Sequence, residues 1–164
     1  MTAVVQHVHF KMRSLQAWFL ALFDPLTDLP HMLLRVAPEL ASQFAWWCST
    51  QNLMMGRPFQ QPCPQIQVTT DASLTSCGAH CRSLQIHAQW SQREKLFHII
   101  GLKLLTLMKA CRAFKNHLVG KMVQIVTDNT TMMYYILKQG DAHSPSLFYL
   151  AVDLWEWCLS HHIV

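Results

Sequence analysis

Two aspartates stand where the sequence changes from a strand-forming pattern to a turn. Asp71 ends the alternating segment in VTTDAS, and Asp128 follows the apolar run in QIVTDNTT. In open α/β sheets, ligands bind at the carboxyl ends of strands, and two carboxylates brought together there would form a hard oxygen site for Mg²⁺. An aspartate at such a position also commonly caps the turn after its strand. The residues alone leave both interpretations open.

The cysteines could supply disulfide bonds or metal ligands. The six of them, at positions 48, 63, 77, 81, 111 and 158, form no CxxC pair and show no repeated spacing. A disulfide framework is therefore not expected. Cys77 and Cys81 flank His80, a combination that zinc can bind. A strand through this segment would turn both thiols to one face with no second ligand pair nearby, so we interpret them as small buried thiols.

Basic residues recur along one predicted helix and just after it. Lys103, Lys109, Arg112, Lys115 and Lys121 could follow a phosphate backbone, or they could form an ordinary solvated helix face. The net charge of +4, with ten histidines, permits a polyanionic partner without requiring one.

The composition suggests that much of the surface of the folded chain is covered by other protein. Hydrophobic residues make up 51% of the 164 residues and charged residues only 13%, against roughly 25% charged residues in average soluble domains. We therefore expect a part of a larger assembly. No window reaches the roughly 18 uninterrupted apolar residues of a membrane span, and the first residues lack the features of a secretory signal. An intracellular location, cytoplasmic or nuclear, without a membrane partner is expected.

Two proline clusters, 24–30 and 58–64, divide the chain. Two stretches before the second cluster have apolar residues at helical spacing, namely residues 14–23 and 38–50. Residues 1–64 are accordingly predicted to form a helical connection segment, and residues 65–164 a separate α/β domain.

The second part of the chain alternates between strand and helix periodicities. The predicted strands are residues 65–71, 76–81, 84–90 and 121–127, the last being apolar enough for burial on both faces. The predicted helices are residues 97–118, 130–139 and 144–160, the last beginning with Ser144 as N-cap and Pro145 in the first turn. A meander of three strands followed by a fourth strand after a crossover helix predicts an α/β fold with a mixed sheet.

Several motifs occur in a set order along the chain: VTTDASLTSCGAH, WSQREKLFHI, IVTDNTT, and KQGDAHSPSL followed by LWEW. As a set they resemble the RNase H-like domain of DIRS/Ngaro-type retrotransposon polyproteins. Upstream, MRSLQ and the WW…NLMMGRPF segment are similar to the linker that joins such a polymerase to its nuclease. The resemblance implies an RNase H-like mixed sheet with flanking helices after a short helical connection segment. The implied partners are an RNA/DNA hybrid or other nucleic acid and the rest of a reverse transcriptase.

The activity that the resemblance implies is ribonuclease H, the cleavage of the RNA strand of an RNA/DNA hybrid. In the family, four carboxylates hold two Mg²⁺ ions, one to generate the attacking hydroxide and the other to stabilise the leaving oxygen. By their places in the motifs, Asp71 matches the carboxylate of the first strand and Asp128 that of the fourth strand. They are the expected catalytic and metal-binding residues.

The sequence departs from the family pattern at the other two carboxylates. Lys103, in HIIGLKL, stands where the pattern HINLLEL has a glutamate, and Glu94 is not expected to replace it. The fourth carboxylate follows a fifth strand that would be starting at Val164, so the domain is expected to lack its C-terminal end. Mg²⁺ is the implied cofactor, but Lys103 is expected to oppose its binding. We expect a catalytically impaired domain with at most residual nucleic-acid binding; the alternatives are an active ribonuclease H and a structural or protein-interaction module.

Overall fold

The computed structural model describes residues 5, 7–54, 56, 63–138 and 144–164. The chain forms two compact units, Met1–Gln60 and Gln61–Val164. The boundary between the units lies inside the second proline cluster. Residues 55, 57–62 and 139–143, with parts of the quoted motifs and the end of the predicted helix 130–139, lie outside the described residues.

The first unit is built from helices. They are α1 Val8–Leu22, a 3-10 turn Pro38–Leu40, α2 Ala41–Cys48 and α3 Thr50–Met54. Helix α1 begins at Val8 rather than at the predicted Ser14, and both Val8 and Leu15 are buried on one side of it. The predicted helix 38–50 is divided, because the backbone at Ser49 is extended between α2 and α3.

In its described residues, the second unit contains a sheet of four strands. They are β1 Ile66–Ala72, β2 Ser76–Cys81, β3 Leu84–Gln89 and β4 Val123–Val126. Their order across the sheet is β3-β2-β1-β4, with β2 antiparallel to both of its neighbours and β4 parallel to β1. A three-strand meander joined through a helical crossover to a parallel fourth strand is the arrangement expected of an RNase H-like mixed sheet. The predicted fold class, α/β with flanking helices, is confirmed.

Among the described residues of this unit, four α-helices and a 3-10 turn, Glu94–Leu96, accompany the sheet. The α-helices are α4 Ile99–Ala113, α5 Lys115–Leu118, α6 Thr130–Leu137 and α7 Pro145–Ser160. Helix α4 packs against β1 and β2 and also contacts α6 and α7, so it is the central helix of the unit. The predicted helix 97–118 is divided at Phe114, whose backbone leaves the helical range while its side chain is buried. No helix in the described part of the chain is long and apolar enough to cross a lipid bilayer.

The main core of the second unit lies between α4 and the sheet. On β1, buried residues alternate with exposed or half-buried ones, as expected for a strand covered on one face. The buried members of this core from the strands and α4 are Ile66, Val68, Ala79, Cys81, Leu104, Leu107, Met108, Ala110 and Cys111. A smaller cluster contains Ala72, Cys77, Trp90 and Leu102. Cys77 and Cys81 are thus buried thiols of the core.

The prediction that the fourth strand is buried on both faces is wrong. Val123 and Ile125 pack against the core, whereas Gln124 and Val126 are exposed. Gln124 interrupts the apolar run, so the segment alternates as a half-buried strand does. The prediction relied on the apolar residues of the segment and gave too little importance to Gln124.

The start of α7 also differs from its prediction. Ser144 has the extended backbone of an N-cap residue, but its side chain makes no capping hydrogen bond. Its Oγ lies 3.4 Å from the Oγ of Ser146. Pro145 is in the first turn, as predicted.

The last residue of the chain lies beside the beginning of β4. The carbonyl of Val164 accepts a hydrogen bond from the N–H of Val123 at 2.7 Å, and its N–H donates to the carbonyl of Lys121 at 3.1 Å. Val164 thus bonds to Lys121 and Val123, the two residues on either side of Met122. Two parallel strands are hydrogen-bonded in this way.

Candidate functional site

Strand pairing brings the two sequence-predicted aspartates to the same edge of the sheet. Thr69 of β1 and Val126 of β4 are partners in the parallel register. Asp71 lies two residues after Thr69, and Asp128 lies two residues after Val126. The two aspartates are therefore side by side where the two strands end. Asp71 is part of β1, and Asp128 lies in the turn between β4 and α6.

Lys103 reaches both aspartates from the buried side. It lies in α4, which packs against β1, and its side chain is only 9% exposed, whereas those of Asp71 and Asp128 are 79% and 71% exposed. Its Nζ atom lies 3.5 Å from Oδ1 of Asp71 and donates a hydrogen bond to Oδ1 of Asp128. One ammonium group therefore bridges two solvent-facing carboxylates. We call these three residues the Asp–Lys–Asp cluster.

The charges of the cluster stabilise one another. Burial alone would lower the pKa of Lys103, but the hydrogen bond and negative charge of Asp128, followed by those of Asp71, outweigh it and hold that pKa above its ordinary value. The hydrogen bond from Lys103 is the main cause of a lowered pKa at Asp128. Both shifts favour the charged forms, an ammonium at Lys103 and a carboxylate at Asp128.

The turns around the cluster have their own hydrogen bonds. Oδ1 of Asp71 also accepts from the N–H of Ala72 at 2.7 Å, so this aspartate does bond within its own segment. The cap of α6 is Asn129, whose Oδ1 accepts from the N–H of Met132 at 2.7 Å. Asp128 is therefore not the N-cap of α6, and its carboxylate bonds to Lys103 and to its own backbone N–H.

Glu94 is engaged elsewhere. Its carboxylate accepts hydrogen bonds from the N–H and Oγ of Ser91 at 2.8 and 2.7 Å, and it lies 2.8 Å from Nζ of Lys109. The hydrogen bonds from Lys109 and then from Ser91 lower the pKa of Glu94 to about 2. Sequence reasoning missed this arrangement, although Ser91 and Glu94 have the S-x-x-E spacing of a capping box.

Trp90 links Lys109, the ion-pair partner of Glu94, to the strands. Nζ of Lys109 lies 5.0 Å from the ring centroid of Trp90, a cation–π distance. The indole N–H of Trp90 donates to the carbonyl of Ser73 at 2.8 Å. Glu94 and Lys109 therefore tie α4 to the end of β3 and to the turn after β1. Among the described residues, no ion pair joins either of them to the Asp–Lys–Asp cluster.

An open groove on the exposed face of the sheet borders Asp71. Its lining includes Thr69, Gly78, His80 and His87. Gly78 is opposite both Asp71 and His87 in the strand register, and it adds no side chain between them. In the described parts of the chain, no group of three or more His, Cys, Asp or Glu side chains is arranged to hold a metal ion.

No protein-family model matches the chain, and no curated protein matches it. Among solved structures, the chain is similar to the native protease-reverse transcriptase of prototype foamy virus, with 10% sequence identity and a TM-score of 0.37. The match covers 93% of this chain and 21% of that one, so the chain spans about a fifth of the length of the viral protein. A likeness at this level adds nothing to the strand topology described above.

Proposed function

We propose that the second unit is an RNase H-like module of retroelement origin in which an internal lysine has closed the carboxylate site. The module is impaired in metal-dependent hydrolysis and retains at most residual binding to nucleic acid. The contact of the Lys103 ammonium with both Asp71 and Asp128 carries this proposal. The ordered set of sequence motifs and the mixed sheet support the assignment to an RNase H-like class.

The position of Lys103 opposes the binding of divalent ions. At a separation near 4 Å, an ammonium and a divalent ion repel each other by roughly 8 kcal/mol at an effective dielectric constant of about 20. Displacing the ammonium would remove its hydrogen bonds to both carboxylates, and the largely buried Lys103 side chain has little freedom to turn away. Two carboxylates with an ammonium between them are therefore a poor donor set for a pair of Mg²⁺ ions.

Lys103 and Asp128 are also poorly suited to replace the metal in hydrolysis. A general base must be unprotonated at the working pH, and the raised pKa of Lys103 keeps its amine protonated. The lowered pKa of Asp128 makes that carboxylate a weaker base than an ordinary aspartate. Neither residue is suited to deprotonate the attacking water.

The proposal is tested by incubating the full chain with a labelled RNA/DNA hybrid and Mg²⁺ or Mn²⁺. We expect no more cleavage than in a sample without protein, for the parent chain and for Asp71→Asn alike. Cleavage by the parent that Asp71→Asn abolishes would overturn the proposal in favour of an active ribonuclease H. A chain that neither cleaves nor binds nucleic acid would favour the third reading, a structural or protein-interaction module.

A further inference from the structure

Four basic residues lie at the end of the sheet opposite the Asp–Lys–Asp cluster. Lys121 precedes β4, whereas Asp128 follows it. Arg82 follows β2, which is antiparallel to β1, so it lies beside the beginning of β1, whereas Asp71 is near the end of that strand. Strand direction thus separates both basic residues from the cluster.

Helix α4 brings the other two to the same end. Lys103, near its start, contacts the aspartates, and the helix then continues to Ala113. The nine positions from Lys103 to Arg112 correspond to about 14 Å at a rise of 1.5 Å per residue. Arg112 is in its last turn and Lys115 begins α5. We call Arg82, Arg112, Lys115 and Lys121 the basic end.

Core packing also places these residues around one part of the sheet. Cys81, next to Arg82, shares a core with Cys111 and Leu118, which belong to α4 and α5. Burial raises the pKa of the Cys81 thiol, and the positive charges of Arg82 and Lys121 partly offset that rise. Both cations are therefore close enough to the same buried sulfur to act on it.

The basic end is not neutralised by carboxylates of the described chain. Lys103 and Lys109 are held in ion pairs, whereas none of the four residues of the basic end has a carboxylate within 4.0 Å among the described residues. Arg82, Arg112 and Lys115 are exposed, and Lys121 is half-buried. The exposed Asn116 and His117 of α5 add hydrogen-bonding groups beside them.

We infer that the basic end is a contact surface for the phosphate backbone of nucleic acid, separate from the Asp–Lys–Asp cluster. The inference rests on the proposed function, because it specifies where residual nucleic-acid binding would occur. Guanidinium and ammonium groups bind phosphate oxygens without reading bases. Binding should therefore be independent of sequence and should weaken steeply with salt, since each neutralised phosphate of a duplex contributes a slope of about −0.9.

The test measures binding of the full chain to a fluorescent RNA/DNA hybrid by anisotropy, from about 50 to 200 mM salt. The double variant Arg112→Gln/Lys115→Gln should bind about tenfold more weakly or worse, with a salt slope smaller by about two. The matched control is Arg93→Gln/Lys95→Gln, which removes the same charges from exposed residues before α4. The control should bind as the parent does.

Equal losses in the two double variants would overturn the inference, as would a parent chain that does not bind the hybrid at the lowest salt. Binding to anionic phospholipid vesicles in preference to the hybrid would also overturn it. Circular dichroism melting of each variant shows whether it is folded. Cleavage is followed in the same samples: cleavage that Asp71→Asn abolishes counts against the proposed function, whereas unchanged binding by the Arg112/Lys115 variant counts only against the basic end.

Discussion

At the scale of single residues, a lysine and a metal ion neutralise carboxylates in different ways. The ammonium of Lys103 donates hydrogen bonds to Asp71 and Asp128 and carries a single charge. A divalent ion carries twice that charge and can also bind and acidify a water molecule. The lysine therefore offsets only half of the charge that a divalent ion would offset, and it cannot acidify a bound water molecule.

Substitution of Lys103 should reveal the affinity of the aspartates for metal ions. We expect no detectable binding of Mg²⁺ or Mn²⁺ by the parent in calorimetry, weak binding by Lys103→Gln and the tightest binding by Lys103→Glu, which adds a third carboxylate. At a metal concentration about a hundred times the Kd, Lys103→Glu should gain about 2.7 kcal/mol of stability. Its hybrid cleavage should remain negligible, because catalytic groups must be held to within about 0.5 Å.

Lys95→Glu is the control for that experiment, since it introduces the same charge change at an exposed position before α4. Unchanged metal affinity in Lys103→Glu would show that Lys103 does not oppose metal binding. Full cleavage activity in that variant would show that one substitution is enough to restore the site.

Glu94 should make a pH-dependent contribution to stability. Its pKa is about 2 in the folded chain against an ordinary 4.5, so its stabilising effect is fully present above pH 4.5 and is lost as the pH falls from 4.5 toward 2. We expect Glu94→Gln to lower the free energy of unfolding by about 1 kcal/mol at neutral pH. Urea unfolding of parent and variant should differ less as the pH approaches 2.

The control for Glu94 is Glu156→Gln, at an exposed position on α7. Its stability should follow that of the parent at every pH. A difference between parent and Glu94→Gln that stays constant down to pH 2 would contradict a role for the ionised carboxylate.

At the scale of elements, the sequence predicted strands better than helix ends. Period-2 alternation places each strand residue on one of two faces, and the predicted bounds of β2 agree with the observed ones. Helix ends depend on local backbone geometry, as at Phe114 and Ser49, and apolar spacing does not encode it.

Part of the candidate site could likewise be predicted from the sequence. The strand ends located Asp71 and Asp128, and the family pattern drew attention to Lys103. The contact of Lys103 with both aspartates could not be predicted. It depends on how α4 packs on the sheet, because Asp71 and Asp128 are 32 and 25 positions away from Lys103 in the sequence. The Ser91–Glu94 pair had a recognisable spacing and could have been identified.

Two substitutions test which residues cap α6 and α7. Asn129→Ala should lower the free energy of unfolding by about 1 kcal/mol, because it removes the acceptor for the N–H of Met132. Ser144→Ala should change it by less than about 0.5 kcal/mol, since Ser144 makes no capping bond. Urea unfolding followed by circular dichroism measures both.

Asn129→Asp keeps the capping acceptor and should restore most of the stability lost in Asn129→Ala. A larger loss from Ser144→Ala than from Asn129→Ala would reverse the assignment of the caps.

At the scale of the whole molecule, apolar side chains remain accessible in both units. Leu26 and Leu33 in the first unit are 92% and 97% exposed, and Leu96 and Leu137 in the second are 86% and 69% exposed. Large exposed apolar surfaces are typical of proteins that contact other proteins. This observation agrees with the low charged fraction of the sequence.

The isolated chain should therefore associate with itself as its concentration rises. Sedimentation velocity should show a concentration-dependent increase in apparent mass, because association removes apolar surface from water. The double variant Leu26→Lys/Leu33→Lys should reduce the effect if the first unit supplies the contact, and Leu96→Lys/Leu137→Lys should reduce it if the second does. A parent chain that sediments as a monomer at every concentration would contradict the prediction.

The Lys103 bridge has a further consequence for how this edge of the sheet responds to its surroundings. The counterion of Asp71 and Asp128 is covalently attached to the chain, so its effective concentration is fixed by the fold. A chelator cannot extract this counterion, because it is a side chain of the same polypeptide. The positive charge beside the two aspartates is therefore supplied by the chain itself, whereas a metal site takes its positive charge from the solution.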